Sequence, residues 1–182
     1  MSEADRIKWD LRFSKKEFVL GVGDSALNDF FRLKPIGPVL DFACGDGRNS
    51  LAMARKGIDV LAWDCSQVGL ERLEHFSSLE QLKVNTLMLD FDHLPYSEPL
   101  EFGSVWISHF LPSETQLRWL FDKLPQGGLL GLLTFNQDQT DFNPRFCLKQ
   151  DQFVETFDSK HLIKYQSRIE ENSHHDFYVW KK

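Results

Sequence analysis

Short apolar runs alternate along most of this chain with segments whose apolar residues recur at helical spacing. Five runs rich in Val, Leu, Ile, Phe and Trp predict strands at residues 39–42, 59–63, 84–89, 102–108 and 129–135. Three segments between these runs predict helices at residues 50–55, 66–76 and 113–124. Strands that alternate with helices favour an α/β fold, with a mostly parallel sheet and helices on both faces.

The two ends of the chain depart from this alternation. Residues 1–37 precede the sheet as an N-terminal cover segment, and 38–182 form the predicted sheet core. A chain of 182 residues is expected to form one domain over its whole length, 1–182. After a predicted helix at 149–157, the segments 162–169 and 177–180 predict an antiparallel hairpin at one edge of the sheet.

The first apolar run ends in a glycine-rich turn, Asp41 to Asn49. Such a turn between a strand and a helix binds ligands readily, because glycine permits close approach and the helix start offers unpaired N–H groups. Gly45, Gly47 and Ser50 nearly match the dinucleotide fingerprint. Asp41 suits a diphosphate poorly, but it attracts a cation such as the sulfonium of S-adenosylmethionine. The alternative is a tight turn capped by Asn49 without a ligand.

A second acidic residue ends the next predicted strand. Asp64 lies 17 residues after Gly47, where doubly wound folds place the carboxylate that binds ribose hydroxyls. A carboxylate can accept both hydrogen bonds of a vicinal diol. The alternative is that Asp64 caps the helix that opens near Ser66, and the two roles are compatible.

With these motifs the chain resembles the class I S-adenosylmethionine-dependent methyltransferases. Residues 41–47 resemble their first motif and 63–64 their second, and the resemblance covers nearly the whole chain. Within the class, residues 9–13, 45–49 and 63–66 are most similar to the small tellurite-resistance and thiopurine methyltransferase group. The resemblance implies a Rossmann-like seven-stranded sheet, S-adenosylmethionine as cofactor and methyl transfer as the activity.

The same resemblance implies further cofactor contacts. In the class, an acid after the third strand accepts from the adenine amino group and an apolar neighbour stacks on the ring, roles that Asp90 and Phe91 fit. The N-terminal segment covers the cofactor and acceptor in the family, and Arg12 there suits the methionine carboxylate or an anionic acceptor. The alternative for Arg12 is a surface position. The predicted cofactor-binding residues are Arg12, Asp41, Ala43, Gly45, Gly47, Asn49, Asp64, Cys65, Ser66, Asp90 and Phe91.

The residues that contact the methyl acceptor are expected at the end of the fourth strand, where the class places them. His109 is the histidine at this position, and it is the predicted catalytic general base. The alternative is that His109 lines the pocket or contacts the cofactor. Residues 108–112 lack the acid or Asn followed by Pro-Pro and an aromatic that amino-nitrogen methyltransferases of nucleic acids carry.

Composition narrows the expected partners. The formal net charge of −6 without a basic run argues against nucleic-acid and membrane partners. The three cysteines have no metal-binding spacing, so we expect free thiols in a reducing cytoplasm and no metal site. The first residues lack the apolar core of a signal peptide. We expect a cytoplasmic monomer or weak homodimer that acts on a small molecule.

The glycine turn, the two acids and the resemblance to class I methyltransferases together predict methyl transfer from S-adenosylmethionine to a small-molecule acceptor. A soft sulfur, selenium or tellurium nucleophile is favoured, because such an anion needs little help from a base. A nicotinamide-dependent oxidoreductase is a second possibility, disfavoured by Asp41 and by the missing third glycine. A third is a protein of this fold that binds the cofactor without catalysing methyl transfer.

Overall fold

The computed structural model describes residues 3–93, 101–141, 143–149, 152–153, 156–170 and 173–182. The α-helices within these ranges are α1 (Glu3–Lys15), α2 (Ala26–Arg32), α3 (Arg48–Ala54), α4 (Gln67–Leu79) and α5 (Glu114–Lys123). The strands are β1 (Val39–Phe42), β2 (Val60–Asp64), β3 (Asn85–Met88), β4 (Ser104–Ser108), β5 (Leu129–Phe135), β6 (Leu162–Glu170) and β7 (Ser173–Lys181). They lie in the order β3-β2-β1-β4-β5-β7-β6 in one sheet.

The direction of the strand pairs confirms the predicted fold class. β1 pairs in parallel with β2, β2 with β3, and β4 with β5. β7 pairs antiparallel with both β5 and β6, so the last two strands form the expected antiparallel hairpin. The sheet is therefore the predicted mostly parallel, seven-stranded sheet with an antiparallel C-terminal edge.

The chain divides into two compact units, and the first comprises residues 1–24 and 37–102. It contains β1, β2 and β3 with helices α1, α3 and α4. Every residue of β1 is buried, as expected for a central parallel strand. One core cluster of this unit joins Leu51 of α3, Ala62 of β2, and Leu73 and Phe76 of α4.

The second unit comprises residues 25–36 and 103–182. Phe30 of α2 packs on Trp106 of β4, with ring centroids 5.2 Å apart, and Trp106 contacts Phe177 of β7 at 5.9 Å. This packing requires glycine in β5, because a Cβ on Gly131 would lie 2.8 Å from the Trp106 ring. The expectation of a single domain over 1–182 stays a prediction.

Two segments differ from what the sequence predicts. Helix α1 was not expected, and it lies in the cover segment. The predicted helix at 149–157 is wrong for the residues that the structure describes, because Lys149 and Gln152 form an isolated turn and Thr156 donates to the Phe153 carbonyl. These bonds span three residues, whereas an α-helix requires bonds that span four. Residues 150–151 and 154–155 lie outside the described ranges.

No helix in the described part of the chain combines the length and the apolar character needed to cross a membrane.

Candidate functional site

The candidate site in the first unit begins with a buried acid on β1. Asp41 is 2% exposed, and its Oδ2 accepts a hydrogen bond of 2.5 Å from the Ser50 hydroxyl. The pKa of Asp41 is raised from 3.8 to about 7, chiefly by burial; the Ser50 hydrogen bond lowers it, and the nearby charges of Asp24 and Asp64 add to the rise. A carboxyl group in this setting is ionised only at an energetic cost, which a cationic ligand would offset.

The turn after β1 has three residues with left-handed backbones. Gly45 has φ 59° and Gly47 has φ 84°, which glycine adopts without strain. Ala43 has φ 63°, a conformation that costs an L-residue with a Cβ about 1–2 kcal/mol. The turn therefore holds strain at the position where β1 ends, as ligand-binding loops often do.

Packing also requires the two glycines of the turn. A Cβ on Gly45 would lie 3.0 Å from the Phe13 ring, and a Cβ on Gly47 would lie 2.2 Å from Cδ1 of Leu73. Phe13 belongs to α1 and Leu73 to α4, so both helices approach the turn closely. The sequence attributes these glycines to a ligand, whereas the structure accounts for them through conformation and packing.

Asp64 joins the ends of β1 and β2. Its Oδ2 accepts from the Gly45 amide and its Oδ1 from the Ser66 amide, both at 2.8 Å. Burial raises the pKa of Asp64, and these amide hydrogen bonds act in the opposite direction. The Ser66 hydroxyl, rather than Asp64, is the N-cap that accepts from the Gly69 amide of α4. Burial, followed by the charge of Asp64, raises the pKa of the neighbouring Cys65 thiol to about 12.

Asn49 does not cap α3, as the alternative without a ligand would require. The N-cap position is Gly47, which provides no side-chain hydrogen bond. The Asn49 amide instead binds Asp24, with Nδ2 donating to Oδ2 at 2.7 Å and Oδ1 accepting from the backbone N–H at 2.9 Å. Arg48 donates to Oδ1 of the same aspartate at 2.6 Å. The start of α3 therefore holds the cover segment at Asp24.

Helix α1 is docked through a residue that sequence reasoning missed. Oδ1 of Asp10 accepts from the Ser66 hydroxyl at 2.6 Å and from the Val68 amide at 3.2 Å. Arg6 donates to Oδ2 of Asp10 at 2.9 Å. Because the partners lie 56 and 58 residues from Asp10, no local pattern predicts these bonds.

The remaining predicted cofactor residues lie in varied surroundings. Arg12 is exposed, with its guanidinium carbon 4.9 Å from the centre of the Trp9 ring. Asp90 is partly exposed and binds Nδ1 of His93 at 2.8 Å. Phe91 is fully buried, and its ring centroid lies 4.3 Å from that of Phe42. The structure thus brings Asp41, Gly45, Asp64 and Ser66 together around the glycine turn. The other three contact residues outside this turn's hydrogen-bond network: Arg12 contacts Trp9, Asp90 contacts His93, and Phe91 contacts Phe42.

In the second unit, the predicted general base lies directly after β4. His109 has φ 53°, a left-handed conformation that is uncommon for a residue other than glycine. Its backbone N–H donates to the Leu133 carbonyl at 2.9 Å. Its ring centroid lies 5.0 Å from those of Phe135 and His175. Its catalytic role stays a prediction.

The strand order, the acid on β1, the glycine turn and the acid ending β2 define the class: this is the class I S-adenosylmethionine-dependent methyltransferase fold. A sequence profile of the family described as "Tellurite resistance protein TehB" matches residues 8–176. The chain belongs to the TehB family. The resemblance inferred from the sequence is therefore confirmed.

Individual relatives agree with this assignment. The "Probable S-adenosyl-L-methionine-dependent methyltransferase TehB" of Haemophilus influenzae strain 10810 is 30% identical over 90 residues, which are 50% of this chain and 31% of the relative. The match thus spans about a third of that relative's length. The crystal structure of TehB from Haemophilus influenzae is similar with a TM-score of 0.73 at 19% identity, over 96% of this chain and 67% of that one.

A more distant structure has the same fold. The geranyl diphosphate C-methyltransferase from Streptomyces coelicolor A3(2), solved with Mg²⁺, geranyl diphosphate and S-adenosyl-L-homocysteine, is similar with a TM-score of 0.71. It is 11% identical, and the match covers 100% of this chain and 99% of that one. At this identity the likeness shows the fold alone.

Proposed function

We propose that this protein transfers the methyl group of S-adenosylmethionine to a small-molecule acceptor. The observation that carries the proposal is the buried carboxyl group of Asp41. Its hydrogen bond comes from the neutral Ser50 hydroxyl, and no ion pair involves Asp41 within the described ranges. The ammonium and sulfonium groups of S-adenosylmethionine would stabilise the charged carboxylate. The diphosphate of a nicotinamide cofactor would repel it.

The other predicted residues fit the cofactor to different degrees. S-adenosylmethionine supplies an electrophilic methyl group on sulfur, so the chain chiefly has to bind, orient and desolvate the reactants. Asp64 keeps its proposed ribose contact, with the diol sharing the oxygens that already accept from Gly45 and Ser66. Asp90 is partly exposed, and an adenine amino group would share the carboxylate oxygens that accept from the Asp92 amide and face His93. Phe91 would need to move away from Phe42 to stack on a base, which makes it the weakest member of the set.

The acceptor that we propose is a soft anionic nucleophile of sulfur, selenium or tellurium. The description of the family as tellurite resistance proteins supports this chemistry. Such an anion attacks the methyl carbon in line with the departing sulfur and needs no prior deprotonation. A hydroxyl acceptor would instead require a base, and the proposed candidate is His109 at the end of β4.

Calorimetry with S-adenosylmethionine, S-adenosylhomocysteine and NAD in parallel tests the cofactor. We expect both sulfur compounds to bind and NAD not to bind. Formation of S-adenosylhomocysteine with tellurite, selenite or a small thiol then tests methyl transfer. Equal affinity for NAD would move the protein to the oxidoreductase class, and binding without turnover of any acceptor would favour a protein that binds the cofactor without catalysis.

A further inference from the structure

Helix α4 carries a buried arginine that links this helix to two other parts of the first unit. Arg72 is 5% exposed, which is unusual for an arginine. Its Nη1 donates to the Lys16 carbonyl at 3.2 Å and its Nη2 to the Glu17 carbonyl at 2.7 Å. Nη2 also lies 3.4 Å from Oδ2 of Asp46. One guanidinium group thus connects α4, the chain after α1 and the glycine turn.

The contacts of Arg72 depend on the planar shape of its guanidinium group as well as on its charge. The guanidinium carbon lies 4.9 Å from the centre of the Phe18 ring, within the range of a cation–π contact. Asp46 is 4% exposed, and Nζ of Lys16 lies 2.5 Å from the same Oδ2 that faces Arg72. A planar group with several fixed donors suits this arrangement, and lysine would preserve only the charge.

Asp46 lies in the middle of the glycine turn, and its side chain contacts Lys16 and Arg72. It lies between Gly45 and Gly47, both of which have positive φ. Glycines have many accessible conformations, so contacts of the intervening side chain help to select one of them, together with the Asp64 bond to the Gly45 amide. Lys16 and Arg72 provide these contacts, and the chain that carries Lys16 is itself held by Arg72.

We infer that Arg72 is a positioning residue of the cofactor site, which fixes the glycine turn through Asp46 and holds residues 16–18 beside it. The inference rests on the proposed function, in which this turn binds S-adenosylmethionine. Arg72 does not need to touch the cofactor in this role. Its removal should leave the sheet folded and weaken binding at the turn.

Variants of Arg72 separate this role from a general contribution to stability. Arg72→Met should weaken binding of S-adenosylhomocysteine by about tenfold, measured by calorimetry where urea titration shows the variant to be folded. Arg72→Lys should recover part of the affinity, since it keeps the charge opposite Asp46. Arg55→Met is the matched control, because Arg55 forms an ion pair with Glu80, away from the turn. It should bind as the wild type does.

A double-mutant cycle tests whether Arg72 acts through Asp46. The effects of Arg72→Met and Asp46→Asn on the dissociation constant should combine to less than their product, because either change releases the turn. Folded variants with the wild-type dissociation constant would overturn the inference, whatever their melting temperatures. If Arg72→Met does not fold, the dissociation constants of Arg72→Lys and Asp46→Asn provide the same test: a wild-type value in both would overturn the inference. Failure of the wild type itself to bind S-adenosylhomocysteine would refute the proposed function instead.

Discussion

Replacement of Asp41 by asparagine should stabilise the protein at alkaline pH while it weakens cofactor binding. The two side chains have nearly the same shape, and the asparagine carbonyl oxygen can still accept from Ser50. The substitution therefore removes the charge with little change in packing. Because burial makes that charge unfavourable in the folded protein, the variant measures how much stability the charged carboxylate costs.

The magnitude and sign follow from the pKa of Asp41, which burial raises from 3.8 to about 7. Between these pH values the folded protein binds the proton more tightly than the unfolded chain does. Stability therefore falls as the pH rises through this window, and the loss is complete above pH 7. A difference between 3.8 and about 7 corresponds to about 4 kcal/mol. This value is an upper bound for the gain in Asp41→Asn, because the new buried N–H groups need acceptors.

Urea unfolding of the wild type and Asp41→Asn at about pH 5 and pH 8.5 measures the effect. The variant should gain about 3 kcal/mol relative to the wild type between the two pH values, because only the two pH units from 5 to about 7 of the titration lie between them. Asp59→Asn is the control, because Asp59 is an exposed aspartate just before β2. The same difference between wild type and variant at both pH values would refute the reasoning. The wild type should also bind S-adenosylmethionine more weakly below pH 7, where Asp41 is increasingly protonated.

Three further predictions concern the turn and the cover segment. Asp64→Ala should weaken S-adenosylhomocysteine binding by about 1.5–3 kcal/mol in calorimetry, and unchanged affinity would leave Asp64 a purely structural role. Gly47→Ala should destabilise the protein by about 1–3 kcal/mol in urea, because the new Cβ would lie 2.2 Å from Leu73; wild-type stability would contradict this packing. Hydrogen exchange over residues 8–20 should slow when S-adenosylhomocysteine binds, and exchange indifferent to the cofactor would show that the segment is not a cover.

The parts of the fold that the sequence predicts are those specified by local patterns. β5 has the predicted bounds, Leu129–Phe135, because an apolar run between turn residues indicates a buried strand. The sequence also predicts the start of α5, since Ser113 and Gln116 form a capping box within one turn of helix. Both signals depend on neighbouring residues, so they do not need knowledge of the tertiary structure.

The parts that the sequence does not predict depend on distant partners. Helix α1 is polar over most of its length, and its docking uses Asp10, whose partners Ser66 and Val68 are more than fifty residues away. Arg72 looks like an ordinary solvent-exposed helix residue until the carbonyl groups of Lys16 and Glu17 are placed beside it. Within the described ranges, these tertiary bonds determine which charged residues become buried, and no spacing rule reveals them.

The contrast between the glycines and Asp41 shows which part of the motif argues for a ligand. Packing against Phe13 and Leu73 accounts for Gly45 and Gly47, so a protein without a ligand would have the same reason to keep them. Within the described residues, the structural contact of Asp41 is one hydrogen bond from Ser50, and burial raises the pKa of Asp41 and disfavours the charged form of the folded protein. An apolar residue would serve the core of β1 better. We therefore propose that Asp41 is retained for a cationic ligand, and the stability and affinity measured for Asp41→Asn test that explanation independently of any catalytic assay.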